Sequence, residues 1–148
     1  MKFRFTMQAV LDHREHLQRE AELALGREMQ GVATLERQLQ ELTQEYFKLT
    51  ETRGGVDWRQ GERMMDYIWY SEQLKVRIAK KKQDISEQQK KVEAARRLLV
   101  QRTQDKRAIE IVRDSQRQAH QLAEKRAQEK RTDESAQTRF IRSEKEFQ

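Results

Sequence analysis

Residues 62–148 contain neither glycine nor proline, the two residues that most strongly interrupt an α-helix. Within this stretch Ile78, Ile85, Val92 and Leu99 are spaced seven residues apart, which is the apolar period of a coiled-coil seam. An unbroken helix of this length would extend about 130 Å, at about 1.5 Å per residue. Because 148 residues cannot enclose such a helix in a compact core, the sequence predicts an elongated helical structure.

The composition agrees with a coiled coil. Charged residues make up 38% of the chain and hydrophobic residues 35%, and proline and cysteine are absent. High charge and low hydrophobicity are also typical of disordered chains. The lack of proline and the helical spacing of the apolar residues favour a coiled coil over disorder.

Positive charge is concentrated in the middle of the chain. The net charge is +6, and residues 75–107 carry 12 basic and 4 acidic side chains. Such a stretch attracts nucleic acid, but it can equally face an acidic partner helix. The first segment offers four candidate carboxylates for such a partner: Glu28, Glu36, Glu41 and Glu45.

The sequence predicts a soluble, cytoplasmic protein. The absence of cysteine excludes disulfides and thiolate metal sites. The basic start of the chain is followed by no apolar run, so we expect no signal peptide, and no stretch is long enough for a membrane span.

The first helix is predicted over about residues 4–52. Its apolar residues form two stripes with helical spacing. The first consists of Phe3, Met7, Val10, Leu17, Ala21 and Ala24; the second consists of Leu25, Met29, Val32, Leu35, Leu39, Leu42, Tyr46 and Leu49. The stripes differ in phase by one position, which predicts a slip near Ala24 and Leu25. Gly26 and Gly31 beside the slip should weaken the helix without ending it.

A turn is predicted at about residues 53–60, where Gly54 and Gly55 adjoin, and the second helix is predicted at about 61–145. A short connection makes the two helices antiparallel. The expected fold is therefore all-α, a long antiparallel two-helix coiled coil that forms a single elongated domain over residues 1–148.

Folding the chain about this turn predicts which residues face each other. Leu49 is placed opposite Met64, and Phe3 is placed beside residues 109–112. The first helix then ends, so the second helix is expected to overhang from about residue 113, without a partner in the chain.

We expect neither an enzyme nor a cofactor. His13 and His16 are three residues apart, but no cysteine or carboxylate set surrounds them, so a metal site there is weakly supported. No phosphate-binding loop or catalytic motif is present in the sequence.

An apolar and aromatic cluster follows the predicted turn. Its members are Trp58, Met64, Met65, Tyr67, Ile68, Trp69, Tyr70 and Leu74. We expect Met64 and Ile68 to plug the end of the coiled coil. Residues 67–70 are all apolar or aromatic and lie on every side of the helix, whereas the first helix can cover only one side. Some of Tyr67, Trp69, Tyr70 and Leu74 should therefore be exposed. Packing at the end of the coiled coil and partner docking both remain open for this group.

Three segments resemble the flagellar FliJ family. Residues 5–15, FTMQAVLDHRE, look like its opening, and residues 128–136, QEKRTDESA, followed by Phe140, look like its closing basic run and Asp-Glu pair. Between them, the spacing of Tyr67, Tyr70, Leu74 and Ile78 is similar to the aromatic, Leu and Ile ladder of the family. The resemblance extends over the whole chain.

This resemblance implies a component of the flagellar type III export apparatus, similar to the central stalk of rotary ATPases. The implied partners are the hexameric ring of the export ATPase, the cytoplasmic domain of the export gate, and export chaperones. Tyr70 and Leu74 match positions associated with gate contact, although Tyr70 replaces a common Phe, and we add Tyr67 to this group. The expected ATPase-ring contacts are Phe3, Phe5, Arg113, Arg117, Lys125, Arg126, Lys130 and Arg131.

Two alternatives remain open from the sequence. One is the equivalent stalk of a virulence type III secretion system. The other is a coiled coil that binds nucleic acid without sequence specificity through residues 75–107, because no element that could enter a groove and read bases is recognisable.

Overall fold

The computed structural model describes residues 2–52 and 61–147. Helix α1 is Gln8–Glu51 and helix α2 is Gly61–Glu146, and the described residues contain no strand. The two helices pack against each other, which confirms the predicted all-α helical hairpin. The predicted turn, with Gly54, Gly55 and Trp58, lies outside the described residues.

The chain divides into two units. One unit comprises Met1–His16 and Thr103–Gln148, and the other comprises Leu17–Arg102. We call them the terminal unit and the central unit. Each contains a piece of both helices, and the assignment of residues 1–148 to one domain remains a prediction.

In the central unit, a single row of α1 residues faces α2. Its members are buried or half-buried and are separated by steps of three and four residues: Ala21, Leu25, Glu28, Val32, Leu35, Leu39, Leu42, Tyr46 and Leu49. The predicted change of phase near Ala24 and Leu25 is wrong, because this row passes through the region without interruption. Glu28 occupies the seam, and Met29, which was assigned to the stripe, is 48% exposed.

Polar side chains within the seam hold the helices of the central unit in alignment. The Gln88 side-chain amide donates to the Glu28 carbonyl oxygen at 3.1 Å and also to the Glu28 carboxylate. Further along, Lys81 Nζ donates to Gln38 Oε1 at 2.9 Å. Such contacts form at one alignment only, so they select the register of a coiled coil.

The terminal unit has its own small core. Leu11 of α1 and Ile109 of α2 are both buried there. The Arg14 guanidinium donates to the Asp105 carbonyl oxygen at 2.6 Å. Leu11 was missed by the sequence reading, which assigned Val10 to the stripe, although Val10 is exposed.

The predicted position of Phe3 is wrong. The ring of Phe3 lies against the ring of His120, with 5.6 Å between centroids, and not beside residues 109–112. Phe3 precedes the start of α1 at Gln8, and non-helical residues advance farther per residue than helical ones, so Phe3 reaches a later part of α2 than helical pairing predicts. The overhang consequently begins later than predicted: Arg113 and Asp114 are half-buried, and continuous exposure runs over residues 121–147.

Two glycines of α1 give a matched test of the seam. A Cβ at Gly26 would meet nothing within 4 Å, whereas one at Gly31 would lie 2.7 Å from the Gln88 amide nitrogen. Gly26→Ala should therefore stabilise the protein by about 0.5–1 kcal/mol through helix propensity. Gly31→Ala should be about 1 kcal/mol less stable than Gly26→Ala, because the added methyl group displaces the Gln88 amide from its hydrogen bonds to Glu28. Urea unfolding measures both, and equal stabilisation would contradict the Gln88 contact.

Candidate partner-binding surfaces

The first candidate surface is the start of α2, in the central unit. Leu74 is fully buried against α1, and Met64, Tyr67 and Tyr70 are half-buried. Leu74 was expected within a group with exposed members that could dock a partner. Its side chain is instead part of the core, because it lies on the α2 row that faces α1. Leu74 therefore cannot contact a partner while the two helices remain packed.

The outward side of this segment carries large apolar side chains. Trp69 is 65% exposed, Ile68 is 44% exposed, and Met65 and Val76 are exposed as well. The prediction that Ile68 plugs the end of the coiled coil is wrong, because the α2 row facing α1 passes through Tyr67 and Leu74 and leaves Ile68 to one side. The expectation that some aromatic residues remain exposed is confirmed by Trp69.

Tyr70 lies at the edge between the two helices. Its hydroxyl donates a hydrogen bond to the Glu45 carboxylate of α1. This bond raises the pKa of the Tyr70 phenol, because an ionised oxygen would lose the bond and be repelled by the carboxylate. Beside this hydrogen bond, a groove of about 440 Å³ lies between α1 and α2. Its lining is mostly charged: Gln38, Glu41, Leu42, Glu45, Arg77, Lys80, Lys81 and Asp84.

The second candidate surface lies in the terminal unit, around Phe3. The Arg117 guanidinium lies 6.0 Å from the centroid of the Phe3 ring, within the range of a cation–π contact. His120 contacts the same ring, and its Nε2 lies 3.3 Å from Glu124 Oε1. The structure thus brings Phe3 and Arg117 together, as two of the residues expected to contact the ATPase ring. Phe5 is half-buried.

The remaining ring-contact residues are not gathered around Phe3. Arg113 is half-buried, with its Nε 3.4 Å from Asp114 Oδ1. The other four lie in the exposed end of α2: Lys125, Arg126, Lys130 and Arg131. The same end exposes the apolar side chains of Leu122, Phe140, Ile141 and Phe147. Charged and apolar groups are therefore both available there to a partner.

His120 was missed by the sequence reading. It lies seven residues after Arg113, on the same side of α2, and this spacing was the available signal. The predicted register ended the helix pair near residue 113, so no half-buried position was expected at His120. His120 marks the last half-buried position of α2.

Within residues 2–52 and 61–147, no three His, Asp or Glu side chains are grouped so that they could hold a metal ion. Neither helix, over its described residues, is apolar enough for long enough to cross a membrane. The described surfaces offer helix flanks and shallow grooves, and these suit protein partners.

A protein-family model described as flagellar FliJ protein matches residues 2–145, which is nearly the whole chain. A search of curated proteins finds no match.

Proposed function

Because the chain belongs to the FliJ family of flagellar proteins, we propose that it is a coiled-coil stalk that binds the ring of the export ATPase and links it to the export gate. Membership of this family makes the chain a component of flagellar biogenesis and of type III protein export. The observation that supports the proposal is the family match over residues 2–145. The stalk would act on the cytoplasmic side of the membrane, as a peripheral part of the export apparatus, and export chaperones are further candidate partners.

The exposed end of α2 is the proposed ring-binding element. Residues 121–147 are all exposed, yet they continue the helix to Glu146. An isolated helix obtains little stability without tertiary packing. Contacts with the lumen of a ring would supply that packing, and the exposed basic residues would speed the approach to an acidic lumen.

The proposed gate contact lies at the start of α2. Tyr67 and Tyr70 are half-buried and can offer a partner their outer edges, whereas Leu74 would support them from beneath. Trp69 and Met65 add exposed apolar area to the neighbouring outward side. An exposed aromatic side chain is a common energetic centre of a protein interface.

The test is direct binding of the full chain to the purified export ATPase and to the purified cytoplasmic domain of the gate. We expect both to bind. The double variant Lys125→Glu with Arg126→Glu should weaken ATPase binding strongly at low salt and less at high salt, since salt screens exposed charges. The matched double variant Lys90→Glu with Lys91→Glu changes two exposed charges in the central unit and should leave ATPase binding unchanged.

Two results would contradict this proposal. Binding to neither protein would remove the stalk function. Equal weakening of ATPase binding by both double variants would show that binding depends on the net charge of the chain and not on the exposed end of α2. Tight binding of single-stranded DNA at physiological salt, with no ATPase binding, would instead support the nucleic-acid alternative.

A further inference from the structure

The hydrogen bond between Tyr70 and Glu45 links the two helices at the candidate gate surface. The Tyr70 hydroxyl, on α2, donates to the carboxylate of Glu45, on α1, although 25 residues separate the two in the chain. Both residues belong to the central unit. Glu45 is exposed and Tyr70 is half-buried, so the bond lies at the edge of the helix pair, where a partner can reach the ring.

The groups around this bond keep Tyr70 in its donor form. The hydrogen bond to Glu45 is the main cause of the raised pKa of the Tyr70 phenol, and Arg77, which favours an ionised phenol, has a smaller effect. The hydroxyl therefore keeps its proton at neutral pH. A carboxylate is a stronger acceptor than a neutral oxygen. The bond thus joins a protonated donor to a charged acceptor.

The groove beside the bond cannot select a partner by its net charge. Its lining contains three carboxylates and three basic side chains: Glu41, Glu45, Asp84, Arg77, Lys80 and Lys81. Their formal charges cancel. The role of Glu45 is therefore better sought in the side chain that it holds than in the charge that it adds to the groove.

Fixing an aromatic ring before a partner arrives favours binding. A free side chain loses rotational freedom when a partner packs on it, and this loss weakens the complex. The Tyr70 ring is already restrained, because its hydroxyl is bonded to the neighbouring helix. We propose that Glu45 is a positioning residue of the gate-contact surface, which holds the Tyr70 ring in the orientation that the gate binds. This inference rests on the proposed gate contact, and it adds a residue of α1 to a surface otherwise built from α2.

The test measures binding of the full chain to the purified cytoplasmic domain of the export gate. Glu45→Ala should weaken binding about three- to tenfold, the usual effect of leaving one large side chain unordered before binding. Tyr70→Phe should weaken binding equally, because the ring remains but the bond is lost. The double variant should bind no more weakly than either single variant, since both changes remove the same bond.

Two matched variants separate positioning from charge. Glu41→Ala removes the same charge from the same groove, about one helical turn before Glu45, and should change gate affinity by less than about twofold. Glu45→Gln removes the charge but keeps a side-chain oxygen that can accept from Tyr70, so it should restore most of the affinity that Glu45→Ala loses. Circular dichroism should give the same helicity for every variant.

A spectroscopic measurement tests the bond without the gate. The chain has three tyrosines, Tyr46, Tyr67 and Tyr70. In a sample labelled with ¹³C at the tyrosine Cζ, the Tyr70 signal is the one that Tyr70→Phe removes. Glu45→Ala should shift this signal at neutral pH, because the phenol carbon responds to the bonding of its hydroxyl, and it should leave the Tyr67 signal in place. Glu41→Ala should shift neither signal.

The outcomes distinguish this assignment from the proposed stalk function. If the unchanged chain does not bind the gate, the gate contact itself is wrong and the assignment falls with it. If the unchanged chain binds, and Glu45→Ala binds as tightly or more tightly, only the positioning role is wrong. The role is also wrong if Glu45→Ala weakens binding further in the Tyr70→Phe background, since Glu45 would then contact the gate directly. An unchanged Tyr70 signal in Glu45→Ala would show that the bond does not form in solution and would overturn the assignment as well.

Discussion

Deletion of residues 121–148 is expected to abolish the stimulation of the export ATPase that we propose to follow from ring binding, while the helix pair stays folded. The reason is that every described residue of this segment is exposed, whereas the ring contacts of Phe3 with Arg117 and His120 lie before it. The core formed by Leu11 and Ile109 lies outside the deletion. ATP hydrolysis by the purified ATPase, measured with and without the truncated chain, tests this expectation.

A charge-reversed chain separates the length of the exposed end from its chemistry. Replacing Lys125, Arg126, Lys130 and Arg131 with glutamate keeps the full length and good helix formers. If basic residues guide docking, this variant should stimulate the ATPase poorly at low salt. If the truncated chain still activates the ATPase fully, the exposed end has no part in the mechanism and the proposed ring contact is wrong.

The two-helix architecture was predictable because the apolar residues of α2 repeat at a regular seven-residue spacing. Ile78, Ile85, Val92 and Leu99 repeat every seven residues, and all four are half-buried in the structure. The absence of glycine and proline over residues 62–148 predicted one uninterrupted helix, and α2 is Gly61–Glu146. Strong periodicity over many turns is the most dependable structural signal in a sequence.

The phase of α1 was not predictable from its apolar residues alone. Three half-buried positions of α1 carry charged or polar side chains: Arg14, Gln18 and Glu28. A reading that follows only apolar residues passes from this row to its neighbours, and so it assigned Val10 and Met29 to the seam. Two of these side chains have hydrogen-bonding partners on α2: the Arg14 guanidinium donates to the Asp105 carbonyl oxygen, and the Glu28 carboxylate accepts from the Gln88 amide.

The prediction of which residues form the gate-contact surface also depended on knowing which side of α2 faces α1. Around Tyr67, Ile68, Trp69 and Tyr70, apolar residues occupy every side of the helix, so periodicity cannot say which one faces α1. The phase becomes fixed once the row is followed back from Ile78, because steps of four and seven residues lead to Leu74 and Tyr67. Trp69 then lies on the outer side. Family resemblance could suggest a role for Leu74 but not its burial.

Leu74→Ala is expected to destabilise the protein by about 2–5 kcal/mol, the usual range for a leucine truncated in a core. The side chain is 0% exposed, so truncation removes contacts and leaves a cavity in the seam. Trp69→Ala is the matched control. It deletes a larger side chain that is mostly exposed, so the free energy of unfolding should change by no more than about 0.5 kcal/mol. Urea unfolding of both variants measures the two changes.

Binding to the gate domain, measured on the same two variants, separates packing from docking. Trp69→Ala should weaken gate binding without loss of stability if the outward side of α2 is the contact surface. Leu74→Ala should weaken gate binding only to the extent that the start of α2 unfolds, so a temperature at which the variant is fully folded should restore it. If Leu74→Ala retains its stability and still loses gate binding, Leu74 contacts the gate directly, and the helix pair must open at this end to expose it.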